Sequence, residues 1–67
     1  MHKLLDALVT EMVSKGVHFE DALKEFEKRF VAQVIAKCGG NLSKAADTLG
    51  VHRNTLARKM SALKIKA

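Results

Sequence analysis

The stretch NLSKAADTLGVHRNTLARKM, residues 41–60, contains the local signals of two short helices joined by a tight turn. Asn41 is a favourable N-cap residue at its start, and Gly50 can adopt the left-handed backbone of such a turn. Ala45 and Ala46 are small enough for two helices to cross closely at their position. Apolar residues bracket the turn on both sides, namely Leu49 and Val51. Together these features predict a helix–turn–helix, with a first helix over residues 42–49.

The second helix of this unit is expected to begin at His52 or Arg53 and to end at about Leu63. At 100° per residue, its apolar side chains cluster within about 60° of one another; they are Leu56, Met60 and Leu63. The opposite face has no acidic residue and no large hydrophobic one; it comprises Arg53, Asn54, Ala57, Arg58, Ser61 and Lys64. Such a face can enter the major groove of DNA closely.

Three side chains of this face match groups on the DNA. Arg53 can bind guanine through two hydrogen bonds, Asn54 can pair with adenine or a phosphate, and Ala57 can contact a thymine methyl group. The alternative is a short pair of antiparallel helices whose basic face is merely solvated.

Two longer amphipathic helices are predicted before this unit, over residues 3–15 and from about Phe19 to Cys38. In the second one, apolar residues recur at steps of three and four up to Val34. After Phe30 the apolar surface widens, because a second stripe is added by Val31, Ile35 and Cys38. A wider apolar surface favours two packing neighbours for that end of the helix.

Charge divides the chain into two halves. The net charge is +5, yet residues 1–36 hold five basic and six acidic side chains, and residues 37–67 hold seven basic ones and Asp47 alone. A basic half beside a nearly neutral half indicates one end that faces a polyanion and one that self-associates.

Length and composition exclude several classes of protein. With 67 residues the chain forms one domain whose core is small, so it needs a further source of stability. Cys38 is the only cysteine, and no metal-binding motif is present, so oligomerisation remains. We expect no membrane segment, no signal peptide, no cofactor and no small-molecule ligand. No phosphate-binding loop or nucleophile–base pair is visible, so we do not expect an enzyme. An unpaired thiol favours the cytoplasm, and Cys38 is expected to pack as a small hydrophobic residue.

The segments FEKRF, residues 26–30, and GGNLSKAADTLGVHRNTL, residues 39–56, resemble the Fis-type helix–turn–helix family. This family includes the C-terminal DNA-binding domains of NtrC-type transcription activators. The resemblance covers roughly residues 19–65. It implies an all-α fold of four helices, in which the first two intertwine with a second copy and the last two bind DNA.

The resemblance also implies roles for individual residues. It gives Arg53 as the main base-reading side chain and His52 as another groove contact; the alternative for His52 is that it caps the helix or is merely exposed. Phosphate and DNA-backbone contacts are implied for Asn41, Ser43, Lys44, Thr55, Arg58 and Lys59. Ala57 departs from the family pattern, in which a long basic side chain is common at that position.

The sequence therefore predicts a homodimer that binds double-stranded DNA specifically and acts as a bacterial transcription regulator or a DNA-bending protein of the nucleoid. Residues 1–38 are expected to dimerise and residues 41–65 to bind DNA. The expected dimer contacts are Leu8, Met12, Leu23, Phe26, Phe30 and Val34. The alternative is a helical oligomerisation module whose basic end binds an acidic partner other than DNA.

Overall fold

The computed structural model describes residues 2–66, which form four helices and no strand. The helices are α1 (His2–Ser14), α2 (Phe19–Lys37), α3 (Leu42–Leu49) and α4 (Arg53–Leu63). The prediction of an all-α chain with four helices is confirmed, and each predicted end lies within one residue of the observed one.

All four helices end in the same way. A residue with a positive φ follows the last turn, and the next backbone N–H donates to the carbonyl five residues earlier, which closes a Schellman motif. In the four motifs, the positive-φ residue that follows the last turn is Gly16, Gly39, Gly50 and Lys64, respectively. The closing hydrogen bonds run from Val17 to Met12, Gly40 to Ile35, Val51 to Ala46 and Ile65 to Met60. Three of these positions are glycine, which adopts the left-handed backbone without steric cost.

The core lies where α2, α3 and α4 meet. Its buried members are Val31 and Ile35 from α2, Ala45 and Ala46 from α3, and Leu56 and Met60 from α4. Ala45 and Leu56 are 0% exposed, as expected if the small alanine lets α3 approach its neighbours closely. The second apolar stripe of α2 is therefore the face that packs on the last two helices. Cys38 is half-buried and packs against this core, as predicted.

Helix α1 takes no part in that core and contains no buried residue. Large apolar side chains stay exposed along α1, the following turn and the first part of α2. We call this set the exposed apolar surface; its members are Leu4, Leu5, Leu8, Val9, Val13, Val17, Phe19, Leu23, Phe26 and Phe30. Of the predicted dimer contacts, four belong to it. The other two, Met12 and Val34, are half-buried, and Val34 packs against the core of the same chain.

The dimensions of the chain agree with an incompletely buried fold. Its radius of gyration is 13.4 Å, whereas a compact domain of this length has about 11 Å. Its accessible surface is 5587 Å², whereas a folded monomer of this mass exposes about 4,200 Å². The single chain thus leaves on the order of 1,400 Å² more surface in water than a compact monomer of its size does.

Candidate nucleic-acid interface

Helix α4 has one buried side and one exposed side, as its sequence predicts. Leu56 and Met60 are buried against the other helices, and Leu63 is half-buried beside them. The exposed side carries Arg53, Asn54, Ala57, Arg58, Ser61 and Lys64. Small residues thus lie between long hydrogen-bond donors, so the helix backbone can come close to a flat or grooved partner.

The first turn of α3 adds polar groups to the same helix–turn–helix unit. Ser43 and Lys44 are exposed, and Asn41 caps the helix. The Oδ1 atom of Asn41 accepts a hydrogen bond from the Lys44 N–H at 3.1 Å. This bond holds the side-chain oxygen against the helix, and the amide NH₂ group of Asn41 is left to donate outward.

His52 caps α4. Its Nδ1 atom accepts a hydrogen bond from the backbone N–H of Asn54 at 3.2 Å. The capping role considered for this residue is therefore confirmed. In the neutral imidazole, an accepting Nδ1 leaves the proton on Nε2, so the exposed edge of the ring is a donor. Capping and an outward contact from Nε2 are compatible.

The positive charges of this unit differ in whether an acid neutralises them. Within residues 2–66 the ion pairs are Lys15 with Glu11 and Lys59 with Glu27. Lys44, Arg53 and Arg58 form no ion pair with any residue of that range. Their charges are therefore not offset at short range within the described chain and are available to an anionic partner.

Thr55 and Lys59 lie between the buried side and the exposed side of α4, and both are half-buried. The other predicted DNA contacts are exposed. The Nζ atom of Lys59 lies 2.5 Å from Oε2 of Glu27 on α2. This pair is not evident from the sequence, because its members are 32 residues apart. Only the packing of α4 on α2 brings them together.

Among residues 2–66, no group of three or more His, Cys, Asp and Glu side chains is arranged to hold a metal ion. One open groove of about 420 Å³ is lined mostly by apolar side chains, with Glu27 and Lys59 as its charged members. In the same range no helix has both the length and the hydropathy needed to cross a membrane.

Comparison with known proteins gives consistent relatives. Residues 22–63 match the family model described as "Bacterial regulatory protein, Fis family". The chain is 47% identical over 45 residues to a signal-transduction and transcriptional-control protein of Clostridium beijerinckii, a match that covers 67% of this chain and 7% of that protein. It is 38% identical over 48 residues to the nitrogen assimilation regulatory protein NtrX of Azorhizobium caulinodans, which covers 72% of this chain and 11% of that protein.

A shorter relative is a putative Fis-like DNA-binding protein of Neisseria meningitidis serogroup A, 43% identical over 42 residues, or 63% of this chain and 53% of that protein. The chain thus spans from a small part to about half of the curated relatives it matches. No solved structure matches it significantly. The match of the family model over residues 22–63, well over half of the sequence, establishes that the chain belongs to the Fis family of bacterial regulatory proteins.

Proposed function

We propose that the chain binds double-stranded DNA as a homodimer and acts as a bacterial transcription regulator or DNA-bending protein at the nucleoid. The observation that carries this proposal is the exposed face of α4. That face combines small residues with Arg53 and Arg58, whose charges no described acid offsets. A narrow, donor-rich and positively charged helix face fits the major groove of DNA.

The side chains divide by what they can recognise. Arg53 lies in the first turn of α4, where it can hydrogen-bond to the O6 and N7 atoms of guanine, and Asn54 is beside it. His52 adds its Nε2 donor at the helix start. The proposed phosphate contacts are Asn41, Ser43, Lys44, Thr55 and Arg58; Lys59, which the family resemblance also implies, is paired with Glu27. Contacts to phosphates supply most of the affinity, and Arg53 supplies most of the sequence preference.

The dimer is proposed on the surface that one chain leaves uncovered. A stable interface needs about 800 Å² from each partner, and the excess surface estimated above exceeds that. Phe26 and Phe30, whose ring centroids are 5.6 Å apart, lie within this exposed apolar surface. A second copy buries the same residues on both chains, which is the natural arrangement of a twofold dimer.

This proposal divides the chain into residues 1–38, which dimerise, and residues 41–65, which bind DNA. Helix α2 serves both parts, because its first half lies in the exposed apolar surface and its second half in the core. The two copies of α4 then address half-sites about one turn of DNA apart, or about 34 Å, or closer if the DNA bends.

The test compares Arg53→Ala with the original chain on a duplex selected from a randomised library. We expect Arg53→Ala to lose about 1–3 kcal/mol on the selected duplex, and much less on a scrambled one. Lys3→Ala removes the same charge from an exposed position of α1 and serves as the control. Equal affinity of both chains for the selected duplex contradicts the assigned role of Arg53. A chain that binds an acidic protein or an anionic lipid but no duplex supports the alternative, a helical oligomerisation module.

A further inference from the structure

We infer that Glu27 is a positioning residue for α4: its ion pair with Lys59 fixes α4 against α2 and keeps the Lys59 ammonium group from binding DNA. The inference rests on the proposed DNA binding. Among residues 2–66, this is the ion pair that joins two different helices; the other, Lys15 with Glu11, is local. It links the helix proposed to read DNA with the helix proposed to dimerise.

Lys59 lies on the flank of α4, between the buried side and the exposed face of the helix. At 100° per residue, Lys59 lies about 60° from the buried Leu56 and about 100° from the exposed Arg58. Its side chain is 40% exposed, and that of Glu27 is 38% exposed. The ammonium group is thus directed to the flank of the helix, where an acid already accepts its hydrogen bond.

Apolar atoms lie on one side of the pair. Glu27 and Lys59 line the apolar groove, whose other lining residues are Leu23, Phe26, Phe30, Val31, Leu49 and Val51. They also line a second open groove, with Lys24, Thr55 and Arg58. An ion pair beside apolar atoms is less screened by water than one surrounded by solvent. Phe26 and Phe30 also belong to the exposed apolar surface, so a partner subunit seated there covers the pair further.

A directional contact is needed at this place because the rest of the contact between the helices is apolar. Leu56 and Met60 of α4 pack with Val31 and Ile35 of α2 in one cluster. Apolar contacts carry little directional preference, whereas a charge-assisted hydrogen bond fixes the approach of its two groups. By fixing the tilt of α4 on α2, the pair sets the distance between the two copies of α4 in a dimer.

The test uses exchange of the two charges, which leaves the net charge of the chain unchanged. Lys59→Glu alone sets two carboxylates against each other, and we expect it to bind a duplex of about 30 bp at least ten-fold more weakly. Adding Glu27→Lys restores the pair in reverse, and we expect affinity within about three-fold of the original chain. The matched control is Arg58→Glu with and without Glu27→Lys. These variants carry the same charges as the Lys59 variants, but Arg58 makes no ion pair with Glu27. We therefore expect Glu27→Lys to restore no DNA binding to Arg58→Glu.

The salt dependence of binding supplies a second readout. Each lost phosphate contact makes the slope of log affinity against log salt less negative by about 0.9, or by about 1.8 for a dimer. We expect Arg58→Gln to show this loss and Lys59→Gln to keep the original slope while it binds about two- to five-fold more weakly. Lys59→Arg keeps the charge and should retain the original affinity. Circular dichroism establishes that each variant is folded.

Three results overturn the inference. The first is no recovery in the exchanged pair Glu27→Lys with Lys59→Glu. The second is equal recovery in the Arg58 control, which means that added charge alone restores binding. The third is a loss of slope in Lys59→Gln equal to that in Arg58→Gln, which makes Lys59 a phosphate contact. In all three the original chain still binds DNA, so they differ from failure of the proposed function, in which it binds no duplex.

Discussion

Lys64 ends α4 in the same left-handed conformation in which Gly50 ends α3. The φ angles are 57° and 74°, and Lys64 is the one residue other than glycine with a positive φ among residues 2–66. In both places the next residue donates its N–H back into the helix, from Ile65 to Met60 and from Val51 to Ala46. The turn at Lys64 brings Ile65 against the core.

Lys64→Gly is expected to stabilise the protein. A residue with a Cβ atom costs about 1 kcal/mol in this conformation compared with glycine. We therefore expect the melting temperature to rise by about 4–8 °C per kcal/mol for a chain of this size, measured at fixed protein concentration because association contributes to stability. Lys66→Gly removes the same charge outside the turn and should not raise the melting temperature. A lower melting temperature for Lys64→Gly contradicts this account of the turn.

His52→Ala is expected to lose the cap of α4, at a cost of about 1 kcal/mol in the free energy of unfolding. His52→Asn offers a side-chain oxygen to the Asn54 N–H in place of the imidazole Nδ1 and should retain most of the stability. Chemical denaturation of the three chains measures the difference. If His52→Ala and His52→Asn unfold at the same denaturant concentration, the hydrogen bond from Asn54 contributes nothing.

Phe30→Asp is expected to abolish the dimer, because it sets a charge in the centre of the proposed interface. Phe30 is 52% exposed in a single chain, so a carboxylate at this position can still reach water in the monomer. Ala36→Asp adds the same charge to an exposed position of α2, about 120° around the helix, and should leave association intact. Sedimentation equilibrium measures both. A Phe30→Asp chain that remains a stable dimer contradicts the proposed interface.

Ala57→Arg is expected to strengthen binding to DNA of any sequence. Ala57 is exposed on the face of α4 that carries Arg53 and Arg58, so a long basic side chain there can reach a phosphate. We expect the salt slope to steepen by about 0.9 for each added contact. Thr10→Arg adds the same charge on α1 and should leave the slope unchanged. The same slope in both variants argues against α4 as the DNA-facing helix.

The helix–turn–helix was predictable because its signals are local. Asn41 caps α3, the small Ala45 and Ala46 let helices cross, and Gly50 forms the turn within a single stretch of sequence. The end of α4 was less evident, since Lys64 replaces the glycine that usually marks such a turn. Even so, the boundary at Leu63 was correct because the apolar periodicity ends there.

Contacts between distant segments could not be predicted from the sequence, because no local signal identifies the partners. Glu27 is one of six acidic residues among residues 1–36. Nothing in the sequence around it indicates which basic side chain it pairs with. The role of Val34 was similarly ambiguous. It continues the stripe of Phe26 and Phe30, but it packs against the core because α3 and α4 cover the end of α2.

The most direct test of DNA binding is fluorescence anisotropy of a labelled duplex of about 30 bp, titrated with the original chain at several salt concentrations. If each dimer neutralises several phosphates, the slope of log affinity against log salt is about −4 to −8. We predict a value in that range. Absence of binding even at low salt contradicts the proposal and assigns the basic face of α4 to a different acidic partner.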